Sequence, residues 1–263
     1  MRILRRFLPL ILTATMSFFS SCDRAYDRVG ALNEARREMT NGRYETAIQK
    51  LNEVISHYPT NSEALILRIE CFSQTKQMNE RILDLKAMVK LKADSCASQM
   101  LFINDLVNAY DYLLQNDSAI RYQTILMKVQ ADCATKEFSR RGGFSTLSTL
   151  LLRSGQYPQA LSTNDSAIAY GDTSSFINMI RASIFAKTGK LDSAIHYQSK
   201  AIERDKLDNR PYFGDYDTRA NLYEEKGDLP NACADWQMAL QLGSSTAQSK
   251  LDSFCTLGRG GDR

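Results

Sequence analysis

The heptapeptide DSAIHYQ, Asp192–Gln198, repeats with one change a phrase written 75 residues earlier, DSAIRYQ, Asp117–Gln123. Superposing the two places Ala119 on Ala194. The same column collects Ala47, Ala160 and Ala232 from RYETAIQKL, QYPQALSTN and DLPNACADW. Only the second of six units departs, with Arg81 in MNERILDLKAM. Along this column the steps are 34, 38, 41, 34 and 38 residues. A second column, nine residues upstream, carries Phe72, Tyr110, Leu151, Phe185 and Tyr223, with Glu38 discordant. Two columns that keep step over so irregular a spacing mark a repeated structural unit.

Between the columns lies a turn: NGRY at 41–44, SGQY at 154–157, TGKL at 188–191 and KGDL at 226–229. Glycine reaches the left-handed conformation that ends a helix, so a second helix can start within a few positions. Pro158 and Pro230 each stand two residues before a column alanine. That suits the first turn of a helix, where a missing N–H costs nothing. Helix formers abound and no Val/Ile/Thr run alternates with period two, so the chain reads as all-α, each unit a helical hairpin.

These residues resemble the tetratricopeptide repeat, a helix-turn-helix with small residues where its two helices cross. The matches are Gly42, Tyr44, Ala47 and Pro59 in the first unit, Gly155, Tyr157, Ala160 and Ala167 in the fourth, and Gly189, Ala194 and Ala201 in the fifth. In the sixth they are Ala220, Tyr223, Gly227, Ala232, Trp236 and Ala239. The resemblance implies a right-handed α-solenoid of about six hairpins, at about 28–61, 62–95, 100–133, 141–174, 175–208 and 213–246. Departures fall at Arg81, at polar Gln123, Asn164 and Gln198 where the family prefers an aromatic, and at inserts of four, seven and four residues. An array must cover the apolar face of its last hairpin. Thr246–Cys255 fits a capping helix with Ala247, Leu251, Phe254 and Cys255 toward one side, which carries the solenoid domain to residue 257 and leaves a glycine-rich tail at 258–263.

The chain opens MRILRRFLPLILTATMSFFSSC. Three arginines precede a 13-residue, mostly apolar run from Phe7 to Phe19, too short to span a bilayer but built like a secretory signal. Phe19-Ser20-Ser21-Cys22 resembles a relaxed bacterial lipobox of the kind seen in lipoproteins of the Bacteroidota. That resemblance implies a signal peptide over 1–21, cleavage before Cys22, acylation of Cys22, a linker over 22–27, and anchoring in the cell envelope with the outer membrane favoured. Several acyl chains, at about 0.8 kcal/mol per buried CH₂, hold a soluble domain firmly on a membrane. Removing the first 21 residues leaves 30 basic against 30 acidic side chains. The formal charge of +3 is therefore no sign of nucleic-acid binding, since no dense basic stripe remains.

Five further cysteines, Cys71, Cys96, Cys133, Cys233 and Cys255, contain no CxxC and no local His partner, so no metal and no cofactor is expected. An odd count leaves at least one thiol free, and Cys233 can meet Cys255 if the last helix folds back; the pairing is otherwise open. The two histidines, His57 and His196, lie in second-helix segments of the first and fifth units, about 140 residues apart. They form no catalytic constellation, and Arg141-Gly142-Gly143 is a weak phosphate loop better read as a joint in the seven-residue insert. The chain is not expected to be an enzyme.

By analogy with the family, the first helix of each hairpin lines a concave groove. Residues four apart share a helical face, which gives rows at Asn104, Asn108 and Tyr112; Ser145, Thr149 and Arg153; Met179, Ser183 and Lys187; and Asp217, Asn221 and Glu225. The expected partner-binding residues are Asn104, Asn108, Tyr112, Thr149, Arg153, Ser183, Lys187, Asn221 and Glu225. Asn bonds both edges of an extended backbone and Tyr supplies contact area. The Lys and Asn clamp by which the family grips C-terminal carboxylates is absent. The expectation is a membrane-anchored scaffold for protein or peptide partners. One alternative is the lipoprotein subunit of outer-membrane β-barrel assembly or of secretion machinery, whose first repeat GRYETAIQKLNEVISHYPTNSEA resembles. Another is a glycan-binding surface lipoprotein, disfavoured because the one Trp, Trp236, falls in a core column.

Overall fold

The computed structural model describes residues 26–133 and 140–255. The signal segment, Cys22 and the 258–263 tail lie outside the described residues. Within them are thirteen α-helices and no strand. They pair in chain order as α1 (Arg28–Thr40) with α2 (Tyr44–His57), α3 (Ser62–Gln74) with α4 (Met78–Leu91), and α5 (Cys96–Tyr112) with α6 (Asn116–Asp132). The series continues with α7 (Arg140–Arg153) and α8 (Tyr157–Ala169), α9 (Ser175–Lys187) and α10 (Leu191–Leu207), then α11 (Phe213–Lys226) and α12 (Leu229–Gln241). A short α13 (Ala247–Phe254) closes the array. Helices pack on their neighbours in sequence, as a solenoid of hairpins requires.

The third unit begins earlier than its spacing predicts. α5 starts at Cys96 and runs 17 residues, so the four-residue insert adds a turn to the helix instead of lengthening a loop, with Ser95 capping the N–H of Ser98. Likewise α7 starts at Arg140, so Arg141-Gly142-Gly143 lies inside a helix and is not a joint. A Cβ on Gly143 would stand 3.0 Å from Met127 Cγ and 3.5 Å from Gln123 Nε2, which is the close approach the glycine permits. At the other end of the array, Tyr26 and Asp27, expected in the linker, are part of the packed structure. Tyr26 stacks on His57 with ring centroids 4.3 Å apart, and Asp27 caps α1 by accepting from Gly30 N at 2.9 Å.

The five column alanines are fully buried, where bulk would push the paired helices apart. In the second unit Arg81 is only half-buried, and its guanidinium reaches Asp105 on α5 at 3.6 Å. The turns after α1, α7, α9 and α11 use Gly42, Gly155, Gly189 and Gly227 at positive φ. Units two and three have no glycine there and force Lys76 (φ 59°) and Leu114 (φ 56°) into the same left-handed geometry.

The polar departures form a seam. Gln123, Asn164 and Gln198 stand four residues after their column alanines, are buried, and each donates to a carbonyl of the next hairpin. Gln123 Nε2 reaches Gly143 O at 3.1 Å, Asn164 Nδ2 reaches Ile177 O at 3.0 Å, and Gln198 Nε2 reaches Asp215 O at 3.3 Å. All three carbonyls lie eight residues before the bulky column, so one bond recurs at three successive junctions.

An arginine seam runs beside it. Arg68, Arg181 and Arg219, four residues before the bulky column, each touch the second helix of their own hairpin and that of the preceding one. Arg68 grips Asp84 at 2.7 and 2.6 Å and Asn52 at 2.6 Å. Arg181 lies 5.1 Å over the ring of Tyr197 and pairs with Asp165. In the first unit the charges exchange, with Glu34 accepting from Lys50 at 3.2 Å.

Two disulfides tie the units, Cys96–Cys133 across the open end of the third hairpin and Cys233–Cys255 between α12 and the end of α13. Among the described residues Cys71 is the free thiol, and it is buried. The fold-back of the last helix is thus realised: Ala247 is buried, Phe254 stacks on Trp236 at 5.8 Å, and Trp236 is enclosed in the sixth unit's core.

Candidate interaction groove

Consecutive first helices face one another across a shared surface. Arg36 on α1 pairs with Glu63 on α3, and Arg153 at the end of α7 pairs with Asp111 on α5. Around the second pair lies a depression of about 210 Å³ lined by Val107, Asn108 and Asp111 of α5, by Thr146, Thr149, Leu150 and Arg153 of α7, and by Phe176 of α9. Three of the expected residues, Asn108, Thr149 and Arg153, therefore meet in one place. Thr149 Oγ1 donates to Ser145 O at 3.0 Å, and the polar groups that line the depression include Asn108 and the Asp111–Arg153 pair.

Asn104 and Tyr112 are exposed on the same face of α5, one turn to either side of Asn108. Ser183 and Lys187 on α9, and Asn221 and Glu225 on α11, lie beyond this depression. Ser145 does not face the groove as its row implied: it is buried and its hydroxyl bonds Asp172 at 2.8 Å. Asp217 is similarly engaged, accepting from Ser244 Oγ at 2.7 Å.

Besides Val107, Thr146 and Leu150, the lining includes Asp111 and Phe176, which the sequence rows did not contain. Asp111 carried no signal of its own beside Tyr112. Phe176 did: it is a large apolar residue in the polar run TSSFIN, and it is 50% exposed. Toward α4, burial lifts the Asp105 carboxyl above its ordinary range while the Arg81 guanidinium draws it back.

Among the described residues no three His, Cys, Asp or Glu side chains gather as a metal site, and no helix is long and apolar enough to cross a membrane. The histidines are stacking residues: His57 lies on Tyr26, and His196 meets Tyr197 edge-on at 5.1 Å.

No family model and no curated protein matches the chain. Solved structures do. The chain is similar to PilW, described as a widely conserved type IV pilus biogenesis factor, at 16% identity over 86% of this chain and 99% of that one, with a TM-score of 0.57. It is similar to BtubC from P. vanneervenii at 10% identity over 88% and 94%, with a TM-score of 0.58. A third likeness, with a TM-score of 0.51, is to YrrB, a TPR protein with an unusual peptide-binding site, at 13% identity over 77% and 97%. With these likenesses added to its columns, turns and helical hairpins, the chain has the tetratricopeptide-repeat fold.

Proposed function

We propose that this protein is a lipid-anchored, non-enzymatic scaffold of a bacterial cell envelope that holds an extended segment of a protein partner against α5, α7 and α9. The observation that carries the reading is the depression in which Asn108, Thr149 and Arg153 converge with Asp111 and exposed Phe176. Asn108 offers a donor and an acceptor to a peptide backbone, Phe176 an apolar contact, and the Asp111–Arg153 pair a choice of charge for a flanking side chain. Two disulfides suit an oxidising compartment outside the cytoplasm, and the lipobox-like Cys22 suits attachment to its membrane.

The test is chemical crosslinking of the full chain in its native membranes followed by mass spectrometry, with Arg153→Glu and Cys22→Ser run beside it. The reading expects one partner crosslinked near α5–α9, lost in Arg153→Glu with the melting temperature unchanged, and depleted when Cys22 is replaced. A partner whose crosslinks all map outside α5–α9, or one indifferent to Arg153→Glu, would overturn the groove assignment.

A further inference from the structure

The lipid reading leaves only Asp23, Arg24 and Ala25 between the acylated Cys22 and Tyr26, and Tyr26 is clasped to the solenoid. Its ring stacks on His57 at 4.3 Å and lies 6.4 Å from that of Tyr58, over which Arg28 is set at 5.5 Å. Four Cα-to-Cα steps reach at most about 14 Å. The interfacial layer on one side of a bilayer is itself roughly 5–8 Å deep. On the lipid reading the tether therefore reaches little beyond the interfacial layer, which keeps the start of α1 close to the headgroups.

Which end of the hairpin does so follows from its geometry. Tyr26 lies at the start of α1 and the end of α2, whereas the Asn41–Arg43 turn lies at the far end of the 13-residue α1. At 1.5 Å per residue that turn is about 20 Å further away. The near edge also has the makeup of a surface that rests in an interface. Val29 is 60% exposed, Tyr58 38% and Leu91, at the same end of α4, 37%. Arg28 flanks Tyr58, and Lys90 and Lys92 bracket Leu91. Tyrosine with its polar tip outward, aliphatic side chains and long basic side chains that snorkel are the residues favoured at headgroup depth.

Building on the acylation of Cys22, we infer that the edge formed by Val29, Tyr58 and Leu91 is a bilayer-contact surface, and that the Tyr26–His57 stack fixes the solenoid's pose on the membrane. The stack acts as a rigid collar on a short tether: the lipid supplies the attachment and the collar the orientation. The Asn41–Arg43 edge then points away from the membrane.

The full-length lipoprotein is purified into vesicles containing lipid brominated high on its acyl chains, with tryptophan placed as Tyr58→Trp or as Asn41→Trp. Buried Trp236 supplies a common baseline. Mass spectrometry of the N-terminal peptide reports acylation separately. With acylation present, Tyr58→Trp is expected to lose most of its added emission to bromine and Asn41→Trp almost none. Adding Tyr26→Ala, which frees the tether, is expected to reduce that contrast. Acylated protein in which both tryptophans stay bright overturns the contact surface and leaves the anchor standing. A chain without acyl mass overturns both.

Discussion

Arg219 on α11 grips Asp235 on α12 with both arms of its guanidinium, Nε at 2.7 Å and Nη2 at 2.8 Å from the two carboxylate oxygens, while Nη1 donates to Ser199 on α10 at 2.8 Å. The Asp235 bond and charge hold the Arg219 guanidinium above its already high pKa. Arg68 repeats this arrangement with Asp84 and Asn52. One side chain thus joins the two helices of its hairpin and the hairpin before it.

Removing such a bridge should be costly because it strands a buried carboxylate. Arg219→Ala is expected to destabilise the protein by about 2–4 kcal/mol and Arg219→Lys by less, since lysine keeps the charge and loses the two-armed grip. Urea unfolding measures both. Equal losses for the two variants would mean that charge, not geometry, is what matters.

The same junction also holds a group of opposite electrostatics. Asp215 is buried, and its Oδ1 accepts from Gln198 Nε2 at 3.2 Å. Burial and then the neighbouring Asp205 carboxyl push its pKa up from 3.8 to about 6, with the Gln198 bond opposing them. The folded state therefore holds a proton that the unfolded chain has already released, and Asp215 lowers stability progressively as pH rises from about 4 to about 6. Asp215→Asn should be more stable than the parent by roughly 2 kcal/mol at pH 7, with the difference closing near pH 4. Melting temperatures of the two chains at both pH values decide it, and a gap that widens toward low pH would contradict the assignment.

Leu114 occupies the turn position that glycine holds in four other units, with φ at 56°. A left-handed leucine costs roughly 1–2 kcal/mol, and glycine gives back about 0.5–1 kcal/mol through the unfolded chain. Leu114 is 75% exposed and so has little packing to lose. Leu114→Gly should raise stability by about 0.5–1 kcal/mol, read as a higher urea midpoint at unchanged slope.

The cysteines should behave in two ways. Replacing Cys233 and Cys255 by serine opens a bridge spanning 22 residues and is expected to cost about 2–4 kcal/mol. Amide exchange should then rise first in α13. Cys71, its thiol pushed up to about 11 by burial and by Glu70, should resist iodoacetamide in the folded Cys22→Ser chain and react only on unfolding.

Much of the array was legible because its rules are local and periodic. A small residue is required at each helix crossing, so Ala47, Ala119, Ala160, Ala194 and Ala232 announced the hairpins, and Gly42, Gly155, Gly189 and Gly227 announced their turns. The capping helix was legible for the same reason, as an apolar face at the end of a repeat. Helical spacing put Asn108, Thr149 and Arg153 on faces that the structure brings together around one depression, while Asp111 and Phe176, which also line it, lay outside those rows. Their membership depends on how three helices from three units are set side by side.

The residues by themselves determined the number and order of hairpins, the all-α class and the small-residue crossings, since each depends on contacts within one unit of about 34 to 41 residues. Only the tertiary structure decided what the irregular polar positions do. Gln123, Asn164 and Gln198 read as lapses from an aromatic pattern until the next hairpin presented a carbonyl to each, and Arg68, Arg181 and Arg219 carried no reading from the sequence until two helices closed on them. A polar side chain gains from burial only when a partner is placed within hydrogen-bond reach, and these partners lie in neighbouring hairpins whose register is set by stacking.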